Sequence, residues 1–260
     1  MLYCRFDHDG LTSYGVVEGD QATPLEGDLF GEHKPTGKAI PLSDVRLLAP
    51  VEPRTILAAA VNYQSHVPSG RTVLKDDGAP SIPQLFLKPA SSVIGPEDTI
   101  ILPSEARRVD AEGEVVAVIG RACRKVAPEQ ALDYVFGYTA GNDVSARHWQ
   151  RDDIQWWRAK GSDTFSPLGP FIATGLDPAS ITLRTRVNGV EAQAGNTSDL
   201  IHSIAAMISF ASQVMTLEPG DALYTGTPGE PPKLNDGDVV EVEVEGAGVL
   251  RNLVRREGLR

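Results

Sequence analysis

The stretch from Ala111 to Gly120 (Ala-Glu-Gly-Glu-Val-Val-Ala-Val-Ile-Gly) constrains this chain more than any other. It is short, rich in Val and Ile and closed by glycine, which predicts a β-strand. Alternate residues of a strand share a face. Glu112, Glu114, Val116 and Val118 therefore point one way, and Gly113, Val115, Ala117 and Ile119 the other. Beyond Glu114 both faces are apolar, so burial on both sides is expected. Two carboxylates then stand side by side at the polar end. At about 4 Å and an effective dielectric near ~20 they repel by about 4 kcal/mol. A divalent cation between them removes that cost, which makes the pair a candidate metal or catalytic site. Val240-Glu241-Val242-Glu243-Val244-Glu245 is the internal control. Its acids also recur every second residue, but all on one face with valines on the other. That pattern predicts a half-buried strand with a solvated acidic face and no site.

The 260 residues, 41% hydrophobic and 23% charged, suit one large domain or one domain plus a small appendage. A net charge of −11 argues against nucleic acid, whose phosphates need a basic surface. An anionic substrate would need local Arg and Lys to oppose that field. Cys4 and Cys123 form no CxxC pair and read as reduced thiols, which points to the cytoplasm. Met1 leads directly into strand-like Leu2-Tyr3-Cys4-Arg5-Phe6. No charged-then-apolar pattern and no apolar run of membrane-spanning length appears, so neither a signal segment nor a membrane span is expected.

Residues 1 to 52 read as a small N-terminal β module of short strands and turns, and 53 to 260 as the catalytic domain, with Pro50 and Pro53 at the boundary. Thr55 to Val61 is a predicted buried strand. The polar stretch Asn62 to Pro83 is a long loop, the kind that often forms a lid. Tyr134 to Thr139 is strand-like and runs into Asn142-Asp143, followed by a predicted helix from Val144 to about Arg151. The clearest predicted helix spans Asp199 to about Met215, capped by Asp199, with Leu200, Ile201, Ile204, Met207, Ile208, Ala211 and Met215 as its core stripe. Strands dominate without a βαβ rhythm, which disfavours a parallel Rossmann sheet. Neither GxGxxG nor a P-loop is present.

Asp143 reads either as the N-cap of the helix after it or as a third oxygen ligand beside Glu112 and Glu114. An all-carboxylate set suits Mg²⁺, Mn²⁺ or Ca²⁺. Arg147 and Gln150 lie three apart on a helix and share a face. Lys160 sits in a glycine-flanked turn. Thr225-Gly226-Thr227-Pro228 is a turn that can offer N–H groups and the Thr227 hydroxyl to a carboxylate. His66 can act as a general base near neutral pH. Trp149, Trp156 and Trp157 either wall a pocket or anchor packing.

These pieces together resemble the fumarylacetoacetate hydrolase family. Asn62-Tyr63-Gln64-Ser65-His66 is similar to its N-Y-x-x-H segment. Phe86-Leu87-Lys88-Pro89 with Val93-Ile94-Gly95-Pro96, the E-x-E of Glu112 and Glu114, and Phe136-Gly137-Tyr138-Thr139 through Arg147 fit in consistent order. So do Lys160 to Pro170, the Thr225–Pro228 turn and Gly237-Asp238-Val239. The resemblance covers about residues 55 to 256. It implies an α+β, mostly β, fumarylacetoacetate hydrolase-like β-roll fold and a homodimer. It implies Mg²⁺ or Mn²⁺ on Glu112, Glu114 and Asp143. The implied substrate is a small anionic 2-oxo or 1,3-dioxo acid held by Arg147, Gln150, Thr227 and Tyr63, with His66 and Lys160 catalytic.

Many members of that family carry a Glu three residues after the His, and here that place is Ser69. Glu230, Asp76 and Asp77 are the alternative acids for pairing with His66. The resemblance thus implies hydrolytic C–C cleavage of an acylpyruvate- or fumarylacetoacetate-type acid through a metal-stabilised enolate. Oxaloacetate decarboxylation or tautomerisation, or hydratase or isomerase chemistry, follows closely; decarboxylation and enol–keto tautomerisation need only the metal as electron sink and proton delivery. A protein of another class, binding metal and 2-oxo acid without turnover, is the reading that Ser69 favours.

Overall fold

In the computed structural model, which describes residues 1–67 and 78–258, the expected strand runs from Gly113 to Ile119 and is buried throughout. Its two faces feed two cores. Val115, Ala117 and Ile119 pack with Leu183, Val242, Val244 and Leu250 and with the helix residues Ile204, Met207 and Ile208. Val116 and Val118 pack on the other side with Ile56, Leu168, Ile172 and Tyr224. Each such Val or Ile side chain taken from water contributes about 1.5–3 kcal/mol, so this strand is anchored on both faces.

The fold is α+β and mostly β, as expected. Gly113–Ile119 lies between Val135–Asn142 and Ala222–Tyr224, antiparallel to both. Ala222–Tyr224 runs parallel to Ile56–Ala59, which pairs with the edge strand Leu85–Lys88. On the other side Val135–Asn142 pairs with Ser166–Ala173, and that strand pairs with Leu2–His8. The N-terminal strands therefore continue the same large sheet. A five-stranded sheet containing Thr182–Val187, Val239–Val244 and Gly248–Arg256 covers one face of it. In Val239–Val244 the valines at 240, 242 and 244 are buried, while Glu241 and Glu243 stay half-exposed. Glu243 accepts a hydrogen bond from Arg186 at 2.6 Å. The control strand thus carries solvated acids.

A third, three-stranded sheet matters most for the site. Val109–Asp110 lies between Ser145–Ala146 and Lys233–Leu234. It ties the approach to Glu112 to the segment just after Asp143.

Two expected helices differ. Asp199 caps nothing: Thr197–Asp199 is a 3₁₀ turn, and the helix is Ile204–Ser212, capped by the Ser203 hydroxyl, which accepts from the N–H of Ala206 at 3.2 Å. Leu200 and Ile201 lie outside it. Asn62 pins this stretch non-helically, since its backbone carbonyl accepts from Ile201 N–H and its Oδ1 from His202 N–H, both at 2.8 Å. Val144 is likewise not helical. Ser145–Ala146 is a strand, and the helix runs from Arg147 to Asp152. Its N-cap is Ala146, so Asp143 is not a capping residue. The expected lid, with Ser69, Asp76 and Asp77, lies largely outside the described residues.

Candidate active site

Glu112, Glu114 and Asp143 converge. One ligand oxygen from each lies within 4.8 Å of the others, and all three residues are buried. The backbone explains the meeting. Gly113 pairs with Asn142 across the ladder, the N–H of Asp143 donates to Glu112 O at 2.8 Å, and Asn142 Oδ1 accepts from the N–H of Glu112 at 2.9 Å. Residue 113 must be glycine, because a Cβ there would lie 2.0 Å from Thr185 Oγ1 and 3.2 Å from Val242 Cγ1. The strand has to press against the second sheet for both acids to turn into one cavity.

Cations surround the triad. The Lys160 ammonium donates to Glu112 Oε2 and Asp143 Oδ2, each at 2.5 Å. Lys88, wholly buried, donates to Asp143 Oδ1 and to Phe165 O. Arg147 donates to Glu112 Oε1 at 2.7 Å, to Asp110 Oδ2 at 2.8 Å and to Gln150 Oε1 at 2.9 Å. The Ser145 hydroxyl donates to Glu112 Oε2 at 2.8 Å. Glu114 instead faces the Gly226 N–H, at 2.6 Å. Gly226 has a φ of +103° and its Cβ position lies 2.8 Å from Asn62, so only glycine fits this turn.

These neighbours push the two glutamates apart. Burial acts to raise both. For Glu112 the charges of Arg147 and Lys160, joined by His66 when its ring is protonated, outweigh it and hold the carboxyl well below the usual range. For Glu114 burial is reinforced by Asp143 and Glu112, and the carboxyl rises well above that range. Burial lowers Lys160, but Asp143 and Glu112 reverse the effect and leave it raised. Opposite shifts in adjacent acids are characteristic of functional sites.

A cavity of about 290 Å³ opens over Glu112 and Glu114, and His66, Arg147, Gln150, Lys160, Thr227 and Glu230 line it. His66 Nδ1 lies 2.6 Å from Gly229 O, and Nε2 lies 3.7 Å from Glu112 Oε1. The Thr227 hydroxyl lines the cavity while donating to Gly113 O at 2.8 Å. Tyr63 is placed elsewhere. It is fully buried, does not line the cavity, and its hydroxyl has no hydrogen-bond partner among the described residues. The tryptophans do not wall the cavity either: Trp149 is buried in a core, Trp156 stacks edge-on against Phe86, and Trp157 is exposed. Asp110 was not anticipated as a site residue, although it extends the period-two run to Asp110, Glu112 and Glu114. The sequence offers Lys88 only as part of the Phe86–Pro89 motif, a lysine ending a short apolar strand.

The donor set fits a hard divalent ion. It is all oxygen, buried and opens to a cavity, and its charges already draw a lysine between two of its members.

Comparison with known proteins accords with this geometry. Residues 55–255 match the family described as fumarylacetoacetate (FAA) hydrolase C-terminal, and residues 1–50 match Rv2993c-like, N-terminal. Protein Rv2993c of Mycobacterium tuberculosis is 47% identical over 262 residues, covering 96% of each chain. A mitochondrial oxaloacetate tautomerase, fahd2, of Xenopus laevis is 40% identical over 82% of this chain and 69% of its own length. The crystal structure of a 2-hydroxyhepta-2,4-diene-1,7-dioate isomerase from Mycobacterium marinum is 41% identical, covers all of both chains and superposes with a TM-score of 0.92.

Proposed function

This chain belongs to the fumarylacetoacetate hydrolase family, and on that premise we propose that it is a divalent-metal enzyme moving a proton between C3 and the 2-oxo oxygen of a small 2-oxo acid. Glu112, Glu114 and Asp143 would hold Mg²⁺ or Mn²⁺. When bound, such an ion supplies Lewis acidity toward the 2-oxo group.

The environment of His66 carries the reading. A backbone carbonyl can only accept, so the 2.6 Å contact between Nδ1 and Gly229 O assigns the ring proton to Nδ1. In the neutral ring Nε2 then keeps its lone pair on the side of Glu112. Ionising water is favoured by a carboxylate on Nδ1, which stabilises the imidazolium. Here a neutral carbonyl holds that position. Such a ring is suited to exchange a proton with an already acidified carbon. Lys160 and Arg147 orient the acid and offset charge developing on its oxygens. Their own ties to Glu112, Asp143 and Asp110 keep them in place beforehand.

Glu230 favours a second reading, hydrolysis of an acylpyruvate-type acid, because it lines the same cavity and could activate water itself. The assay is decay of enol-oxaloacetate with Mg²⁺- or Mn²⁺-loaded protein, beside cleavage of an acylpyruvate. Faster enol decay that His66→Ala slows by about 10²-fold or more supports proton transfer. Enol decay at the uncatalysed rate together with acylpyruvate cleavage would establish the hydrolase instead. A division near residue 52 is supported by the two separate family matches. The homodimer and the cytoplasmic location rest on the family likeness and on the unpaired cysteines. Among the described residues no helix is long and apolar enough to cross a membrane.

A further inference from the structure

Arg108 is anchored by a buried acid through Nε alone, so that, among the described residues, both of its Nη groups are left unengaged on the cavity wall. Arg147 spends one N–H of each nitrogen on Asp110, Gln150 and Glu112, which leaves a single N–H on each Nη and no free fork. Lys160 is committed to Glu112 and Asp143. Arg151 is tied through Nε and Nη2 only to its exposed neighbour Asp152, so no buried acid fixes its position. Arg108 uses only Nε, which donates to Asp110 at 2.9 and 3.2 Å, and among the described residues neither Nη has a hydrogen-bond partner. Its side chain is 52% exposed and borders the cavity.

Asp110 makes this arm rigid. Its side chain is 2% exposed and bridges Arg108 and Arg147. Its backbone lies in the middle strand of the small sheet, and Arg108 O accepts from the N–H of Arg147 at 3.0 Å. The free fork of Arg108 is therefore presented in one place without further ordering, and a guanidinium fork is complementary to a carboxylate.

We propose that Arg108 is a specificity-determining residue that takes the distal carboxylate of a dioic 2-oxo acid, with Asp110 as its positioning residue. This deepens the function proposed above and rests on it. The cavity already carries Glu112, Glu114, Asp110 and Glu230, in a chain of net charge −11. A second carboxylate is repelled there unless a cation with uncommitted donors meets it. Arg108 offers a whole free fork held in place by a buried acid, and an acid with an apolar tail gains nothing from it.

The test uses full-length Mg²⁺-loaded protein and two matched pairs, oxaloacetate with 2-oxobutyrate and 2-oxoglutarate with 2-oxovalerate, with oxalate as the control for the triad alone. Affinities come from titration calorimetry, with oxaloacetate measured as a competitor of oxalate. In at least one pair the dioic acid should bind about tenfold or more tighter than its monoacid. Arg108→Gln should erase that preference while oxalate binds as before, and Arg108→Lys should keep part of it. Asp110→Asn should reduce the preference as well, with Arg108 present but unanchored. No preference in the wild type overturns the proposal, as does an Arg108→Gln variant that weakens oxalate as much as the dioic acid. Failure of all five acids to bind would instead refute the 2-oxo acid site itself, and the role of Arg108 with it.

Discussion

Lys88→Met should show how the buried triad is kept folded. The lysine and Asp143 side chains are 0% and 1% exposed, and Lys88 holds one oxygen of that carboxylate while Lys160 holds the other. Methionine keeps the stem and removes the charge. The Phe165 carbonyl keeps a second donor, the N–H of Val144 at 3.2 Å, so it is not orphaned. The loss therefore falls on Asp143, a buried carboxylate with one of its two cations gone. Breaking a whole buried pair costs about 3–5 kcal/mol, and losing one hydrogen bond to a charged group about 1.5–3. With Lys160 still present, about 3 kcal/mol is expected. For a chain of this size that corresponds to a fall in melting temperature of roughly 6–12 °C. Urea unfolding in EDTA measures it. Saturating Mn²⁺ should shrink the deficit to about 1 kcal/mol, since a bound ion gives Asp143 another countercharge. A loss under about 1 kcal/mol in EDTA would refute the dependence of Asp143 on Lys88. An equal loss with and without Mn²⁺ would refute Asp143 as a ligand.

Mn²⁺ or Mg²⁺ at about 100 times its Kd should stabilise the wild type by about 2.7 kcal/mol, seen as a rise in melting temperature; no rise would count against the metal site. Glu114→Ala should abolish that rise while circular dichroism still reports a folded chain, because the Gly226 N–H it frees lies beside the cavity and can meet water. His66→Ala should leave calorimetric Mn²⁺ affinity within about threefold of wild type, since its ring stands at 3.7 Å from Glu112 and is no member of the triad; a tenfold change would assign it a place on the ion. Gly113→Ala should destabilise by about 1–3 kcal/mol or more, the cost of overpacking, and Thr185→Ala should recover part of it in the double variant, because the nearest clash is with Thr185 Oγ1.

Local pattern carried the reading where the chemistry is local. The acids at 112 and 114 and the apolar alternation after them lie within one strand, so their shared face and two-sided burial follow from the pleat alone. The contrast with Glu241 and Glu243 was legible for the same reason. Local pattern misled where a distant side chain overrides it. Leu200 and Ile201 match the helical period, yet Asn62, about 140 positions away, holds that stretch outside the helix. The orientation of His66 was illegible for a related reason. Its partner is a backbone carbonyl, which leaves no trace in residue type, and Gly229 reaches it only through the turn that also presents Gly226 to Glu114. That dependence has a chemical consequence. One short turn, Thr225 to Gly229, supplies both the N–H that restrains Glu114 and the C=O that fixes the tautomer of His66. Glu114 and His66, the proposed ligand and base, are thus held by the same piece of backbone, and a change that shifts the turn should alter metal affinity and proton transfer together.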